Sequence, residues 1–151
     1  MNAIALLKED HERAMELIEQ IESLEENQSQ GSDLFRQLKQ ALTLHTQMEE
    51  KFFYPALSEF EETSEFVEEA YKEHREVDDL LAEISNSSPG DDEFLDQISE
   101  LKQMLEHHVS EEEDELFPDA QKLLGETKLL KLGEEMERMN KSQSATASKR
   151  K

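Results

Sequence analysis

The sequence has no cysteine and no tryptophan, only four glycines and three prolines, and little positive charge. Its 16 Lys and Arg stand against 38 Asp and Glu, a formal charge of −22. Without cysteine there is no disulfide framework, no iron–sulfur cluster and no thiol nucleophile. A domain this acidic repels phosphate backbones, which argues against nucleic-acid binding. The longest apolar run without proline, Ala3–Leu7, is too short to cross a membrane or to form a signal-peptide core, so a soluble, cytoplasmic protein is expected. At 151 residues the chain has the length of one domain, enough to bury roughly 70% of its unfolded surface. Hydrophobic residues are 35% and charged residues 36%, a balance also met in disordered chains, so periodicity has to decide whether it folds.

Periodicity decides for helix. Apolar residues recur at helical spacing in four long segments, which run through Ile4–Ile21, Leu34–Ala56, Phe66–Ile84 and Phe94–Leu116. Breakers separate them: Asn27–Asp33, with Ser32 or Asp33 as N-cap, the polar joint Glu61–Ser64, and the turn Ser85–Asp92. A weaker helix follows Gly125, with Leu129, Leu132, Met136 and Met139 on one side. Short joints between long helices make antiparallel neighbours. The pattern predicts an all-α fold, an antiparallel up-down-up-down four-helix bundle with a short C-terminal fifth helix. The domain is read as residues 1–140, and the stretch from Lys141, low in complexity and basic, as a disordered tail over 141–151.

A shift of 63 residues lays the sequence on itself. His11 falls on His74, His45 on His108, Glu49 on Glu112, Glu50 on Glu113, Tyr54 on Phe117 and Pro55 on Pro118. The apolar frame follows, from Ile4 on Val67 to Leu42 on Leu105. Residues 1–60 and 64–122 therefore read as two similar helix hairpins, each with one histidine on its first helix and His-x-x-x-Glu on its second.

One histidine on an apolar helix face is more often a packed core residue than a ligand. Four of them, each inside the apolar stripe of its helix, shift that balance. Counted from the connecting turns their heights differ by two to four residues, about 3–6 Å at the helical rise, so the four imidazoles can share one layer. Glu49 and Glu112 follow His45 and His108 by one turn and share their faces. Two buried carboxylates repel and are costly to desolvate unless cations lie between them. Four nitrogens and two carboxylates exceed one tetrahedral zinc. They suit two five- or six-coordinate metals, each with two histidines, sharing two bridging carboxylates. Donors without sulfur fit iron or manganese better than copper(I). The expected metal ligands are His11, His45, Glu49, His74, His108 and Glu112, with no separate catalytic residue. His107, opposite Leu44, reads as a non-ligand. Glu50 and Glu113 read as surface or helix-pair residues, Glu111, Asp114 and Glu115 as charged face, and Tyr54, Tyr71 and Phe117 as packing. The Glu-x-x-His of ferritin-like di-iron proteins is missing, since Lys8, Leu42, Tyr71, Met104 and Leu105 stand three residues before the histidines.

The order Asp10-His11-Glu12, His45-x-x-x-Glu49-Glu50 with Tyr54-Pro55, Glu73-His74, and His108-x-x-x-Glu112-Glu113 with Phe117-Pro118 resembles the hemerythrin-like (HHE cation-binding) family. The likeness covers about residues 3–139, including Leu132–Met136 in the last helix. It implies a left-twisted bundle around two non-haem iron ions, with manganese or zinc as substitutes and a bridging oxo or hydroxo group. It further implies reversible chemistry with dioxygen or a related small ligand. Relatives serve oxygen carriage or storage, oxygen or redox sensing, iron handling, and peroxide or nitric oxide chemistry. Oxygen carriers have a further histidine one turn after the third-helix histidine. Here Asp78 holds that position, and Met15 its equivalent in the first half. Either both metals are accessible or Asp78 ligates one of them, and stable oxygen carriage is less expected than redox turnover or iron sensing.

The leading expectation is a di-iron protein with O2- or redox-responsive chemistry: oxygen binding, oxygen or redox sensing, or iron handling. The alternative, an enzyme scavenging peroxide or nitric oxide, ranks lower because no dedicated acid–base residue stands beyond the ligands. A third reading, an acidic bundle that packs its histidines and meets a protein partner, has the 63-residue superposition against it. No nucleic-acid or membrane partner is expected, and no protein partner is identified.

Overall fold

The computed structural model describes the backbone of residues 1–24 and 28–149, and side chains outside 25–29 and 144–151. The bundle helices are α1 (Ala3–Ser23), α2 (Gln28–Met48), α4 (Glu61–Ser85) and α5 (Asp92–Glu111). α2 widens into a π-helical turn, π1 (Glu49–Phe53), and ends in α3 (Tyr54–Leu57). α5 widens in the same way into π2 (Glu112–Leu116), and α6 (Phe117–Lys149) continues from it. Gly125 breaks α6 at φ 78°, and α6 packs against α1, α2, π1 and α3. The fold is the expected all-α bundle, with no strand among the described residues.

Helix ends follow local chemistry. The Asn2 side chain accepts the Ala5 N–H at 2.8 Å and caps α1. Asp91, in extended conformation, precedes α5, whose first turn carries Asp92 and Glu93 where the helix dipole favours anions. The Thr63 hydroxyl donates to the Leu57 carbonyl at 2.7 Å and ties α4 to the end of α3.

Three boundaries differ from the sequence reading. α2 starts at Gln28, so Ser32 and Asp33 lie inside the helix rather than capping it; Asn27 lies outside the described residues. Gly31 was the misleading signal. It is a packing glycine, since a Cβ there would sit 3.0 Å from the Pro89 Cβ. The polar segment Glu61–Ser64 is the first turn of α4, and the joint is residues 58–60. α6 runs on to Lys149 where disorder was expected from Lys141, because no Gly or Pro after Gly133 stops it; residues 150–151 lie outside the described residues.

The core falls into two apolar clusters with a polar layer between them. One gathers Leu7, Met48, Phe53, Tyr54, Ala70, Leu116 and Phe117 under Leu129, Leu132 and Met136 of α6. The other holds Ala14, Ile18, Leu38, Leu42, Val77, Leu81, Ile98 and Leu105. On every bundle helix a histidine marks the border. His11 lies between Leu7 and Ala14, His45 between Leu42 and Met48, His74 between Ala70 and Val77, and His108 between Leu105 and Leu116.

Candidate metal centre

Proline shapes the second helix of each hairpin. Pro55 and Pro118 lack an N–H, and their rings would press on the carbonyls of Lys51 and Asp114 in a regular helix. The helix widens just before each. The Tyr54 N–H donates to the Glu49 carbonyl and the Phe117 N–H to the Glu112 carbonyl, both five residues back. Past the wide turns, Tyr54 and Phe117 are buried like Glu49 and Glu112.

The four histidines and two glutamates form one buried cluster. Glu49 and Glu112 are both 0% exposed, and all four histidines are buried. The rings pair, His11 with His45 at 4.9 Å between centroids and His74 with His108 at 5.2 Å. Each carboxylate reaches both pairs. Glu49 Oε1 is 3.2 Å from His45 Nε2 and 3.0 Å from His74 Nε2. Glu112 Oε1 is 3.1 Å from His11 Nε2 and 3.3 Å from His108 Nε2. Donor atoms of His11, His45, Glu49 and Glu112 lie within 4.8 Å of one another, as do those of Glu49, His74 and His108.

A second ring of carboxylates stands behind the imidazoles. His45 Nδ1–H donates to Asp10 at 2.9 Å and His108 Nδ1–H to Glu73 at 2.8 Å. His11 Nδ1–H donates to Glu113 at 2.8 Å and His74 Nδ1–H to Glu50 at 3.1 Å. The four bonds obey the internal two-fold, because the 63-residue shift carries Asp10 to Glu73 and Glu50 to Glu113. Each holds its ring so that Nε2 faces the centre.

Charge in the cluster is strongly coupled. Burial opposes a proton on His45, but the Glu49 charge and the Asp10 hydrogen bond outweigh it and push it up to about 10. Burial likewise opposes charge on His108, and Glu112 with Glu73 overcomes it, raising His108 well above the ordinary value. His74 is raised in the same sense, burial again opposing and Glu49 prevailing. Burial opposes ionisation of Glu112, yet its histidine neighbours hold it well below the usual carboxylate range. The two inner carboxylates therefore demand positive charge. Protons on the imidazoles supply it poorly, since His45 Nε2, His108 Nε2 and both Glu49 oxygens are buried without a hydrogen-bond partner. Nitrogen and carboxylate donors converging in this way fit divalent cations.

All six residues expected from the sequence thus come together. Four that the sequence reading left at the surface or unassigned, Asp10, Glu50, Glu73 and Glu113, take part behind them. The repeat that paired Asp10 with Glu73 and Glu50 with Glu113 was the available signal. Tyr54 packs in the core as expected and also makes polar contacts. Its hydroxyl donates to Glu112 Oε2 at 2.6 Å and lies 3.3 Å from His74 Nε2. Its repeat partner Phe117 stacks on His11, with ring planes 2° apart. Asp78 is exposed and outside the cluster. His107 is exposed as well. Beside the imidazoles lies a cavity of about 20 Å3, roughly one water in size, walled by Ala14, Met15, Leu42, Thr46, Val77 and Leu105 among others.

Comparison with known proteins agrees with this geometry. A "DNA nickase" of Nostoc sp. is 30% identical over 117 residues, 78% of this chain and 33% of the relative. An uncharacterized hemerythrin-like protein of Schizosaccharomyces pombe is 29% identical over 102 residues, 66% of this chain and 50% of the relative. The chain thus spans a third to a half of these curated relatives. The crystal structure of a hemerythrin HHE cation binding domain-containing protein from Mycobacterium kansasii is similar at a TM-score of 0.85 and 29% identity, over 99% of this chain and 91% of that one. No helix among the described residues is long and apolar enough to cross a membrane. The profile described as Hemerythrin HHE cation binding domain matches residues 2–120, and the chain belongs to that family of cation-binding domains.

Proposed function

We propose that the buried cluster holds two non-haem iron ions and that the protein responds to dioxygen or the redox state. His11 and His45 would serve one ion, His74 and His108 the other, with Glu49 and Glu112 between them. The observation that carries this is that His45 Nε2, His108 Nε2 and both Glu49 oxygens converge, buried, without hydrogen-bond partners while the Nδ1 of all four histidines is held from behind. An iron pair, when bound, supplies reversible electron exchange with a small oxidising ligand. The protein's own residues do the rest. The outer carboxylates orient the imidazoles, the two apolar clusters keep bulk water out, and the cavity beside the imidazoles leaves space of about one water. Tyr54 keeps a proton at Glu112 Oε2, because burial and the nearby carboxylate charges push its phenol far up.

The test is ferrous loading without oxygen, followed by iron analysis and an absorption spectrum. Two irons per chain are expected, with a charge-transfer band that bleaches with dithionite and returns in air. A chain that retains no iron overturns the reading. One observation favours the enzymatic alternative: Tyr54 is a buried hydrogen-bond donor beyond the six expected ligands, a role not foreseen from sequence. Sustained O2 release from peroxide without loss of iron would select scavenging, and a single stoichiometric oxidation would reject it. DNA nicking, the activity in the name of the Nostoc relative, is disfavoured by the formal charge of −22.

A further inference from the structure

The four histidines and two glutamates of the buried cluster follow the internal two-fold, whereas His107 and Glu111 outside it do not. The 63-residue shift sets Leu44 against His107 and Met48 against Glu111, so nothing in the first hairpin corresponds to this pair. His107 Nε2 lies 2.9 Å from Glu111 Oε1, one turn on along α5, and 3.7 Å from Glu73 Oε2 on α4. Donor atoms of all three residues lie within 4.8 Å of one another. Four-coordinate zinc, with bonds of about 2.0–2.1 Å, sets its donors about 3.3 Å apart, and the two nitrogen–oxygen separations bracket that spacing.

An i, i+4 ion pair accounts for His107 and Glu111 alone. It does not account for Glu73, which comes from the neighbouring helix. The Glu73 carboxylate is divided between two adjacent histidines, Oε1 taking the His108 Nδ1–H at 2.8 Å and Oε2 turned to His107. The bond to His108 holds Glu73 still, so a cation would meet a donor already in place. The side chains of Glu73, Glu111 and His107 are 14%, 30% and 65% exposed, a gradient that leaves the outer side open to water.

We propose that Glu73, His107 and Glu111 form an outer divalent-cation site, distinct from the buried cluster and open to solvent. Its class is a borderline cation that accepts imidazole and carboxylate together, such as Zn2+ or Fe2+, with water completing the coordination. The acidic surface concentrates such cations. The site stands whether or not the buried cluster holds iron, and the two are measured separately.

The experiment uses the full chain with its iron content fixed and excess metal removed, titrated with Zn2+ by calorimetry. Iron is assayed before and after, so that displacement from the buried cluster is recognised. One further equivalent of exchangeable Zn2+ is expected in the native chain. In His107→Ala and in Glu111→Gln its affinity falls at least tenfold, with iron content and helical circular dichroism unchanged, as befits substitutions at the surface. Uptake of no further Zn2+ by the native chain, or equal uptake by both variants, overturns the proposal and leaves an ordinary surface ion pair. Failure of the buried-iron reading would show instead in the iron assay.

Discussion

A carboxylate behind each imidazole acts twice: it fixes the ring, and it raises the ring's basicity. Asp10→Asn and Glu73→Gln keep shape but weaken the charge behind His45 and His108. Each is expected to lower metal affinity by about 10–100-fold, read by competition with a chelator. Tyr54→Phe removes the 2.6 Å bond to Glu112 and makes that position like Phe117. A hydrogen bond to a charged group is worth about 1.5–3 kcal/mol, so the metal-free variant should lose stability of that order in urea. Unchanged stability would mean that the bond contributes nothing. In the metal-free protein His45 titrates near 10 when folded against 6.5 when unfolded. Its contribution is full below 6.5 and disappears as the pH rises through about 10. Glu112 acts in the opposite sense, stabilising above its ordinary value of 4.5 and losing that effect as the pH falls toward its depressed one. The urea midpoint of the metal-free protein should therefore fall on the alkaline side, while metal in place of protons should remove that fall.

At the scale of the element, the two π turns decide what the cluster contains. In a regular helix Tyr54 would lie about 140° around from Glu49, facing other neighbours. This is why constant helical angles, sufficient for the spacing of His45 and Glu49, miss Tyr54 and assign it to packing. Glu50 and Glu113 were missed for a related reason: a residue whose backbone faces away from its own helix's histidine can still reach one on another helix, and sequence angles do not show that. The bundle and the six inner residues were legible because hydrophobic period and the 63-residue repeat are both written along the chain. The end of α6 was not, since its hydrophobic pattern fades beyond Met139. Gly125 offers a test at this scale. Its φ of 78° with ψ of 168° is a conformation almost reserved for glycine, and no atom lies within 4 Å of an added Cβ. Gly125→Ala should cost about 1–3 kcal/mol through the backbone alone, measurable as a lower thermal midpoint.

For the whole molecule, the polar layer interrupts an otherwise apolar interior. Six ionisable side chains divide two clusters that could otherwise meet, and the folded state must offset their desolvation. Cations bound to the folded form alone would add stability in proportion to the logarithm of their concentration over the dissociation constant. Removal of metal should lower the thermal midpoint and reduce amide-exchange protection, least at the far ends of the helices; equal midpoints with and without metal would contradict this account.

Both hairpins are encoded in one polypeptide, and this separates the fold from a homodimer of hairpins. In a homodimer any substitution appears twice, so the halves stay alike. A tandem duplication is free to diverge: Tyr54 faces Phe117, and His107 has only Leu44 as its counterpart. The two cradles, cut from one pattern, are no longer interchangeable: a phenol hydroxyl stands beside His74, and a bare phenyl face covers His11.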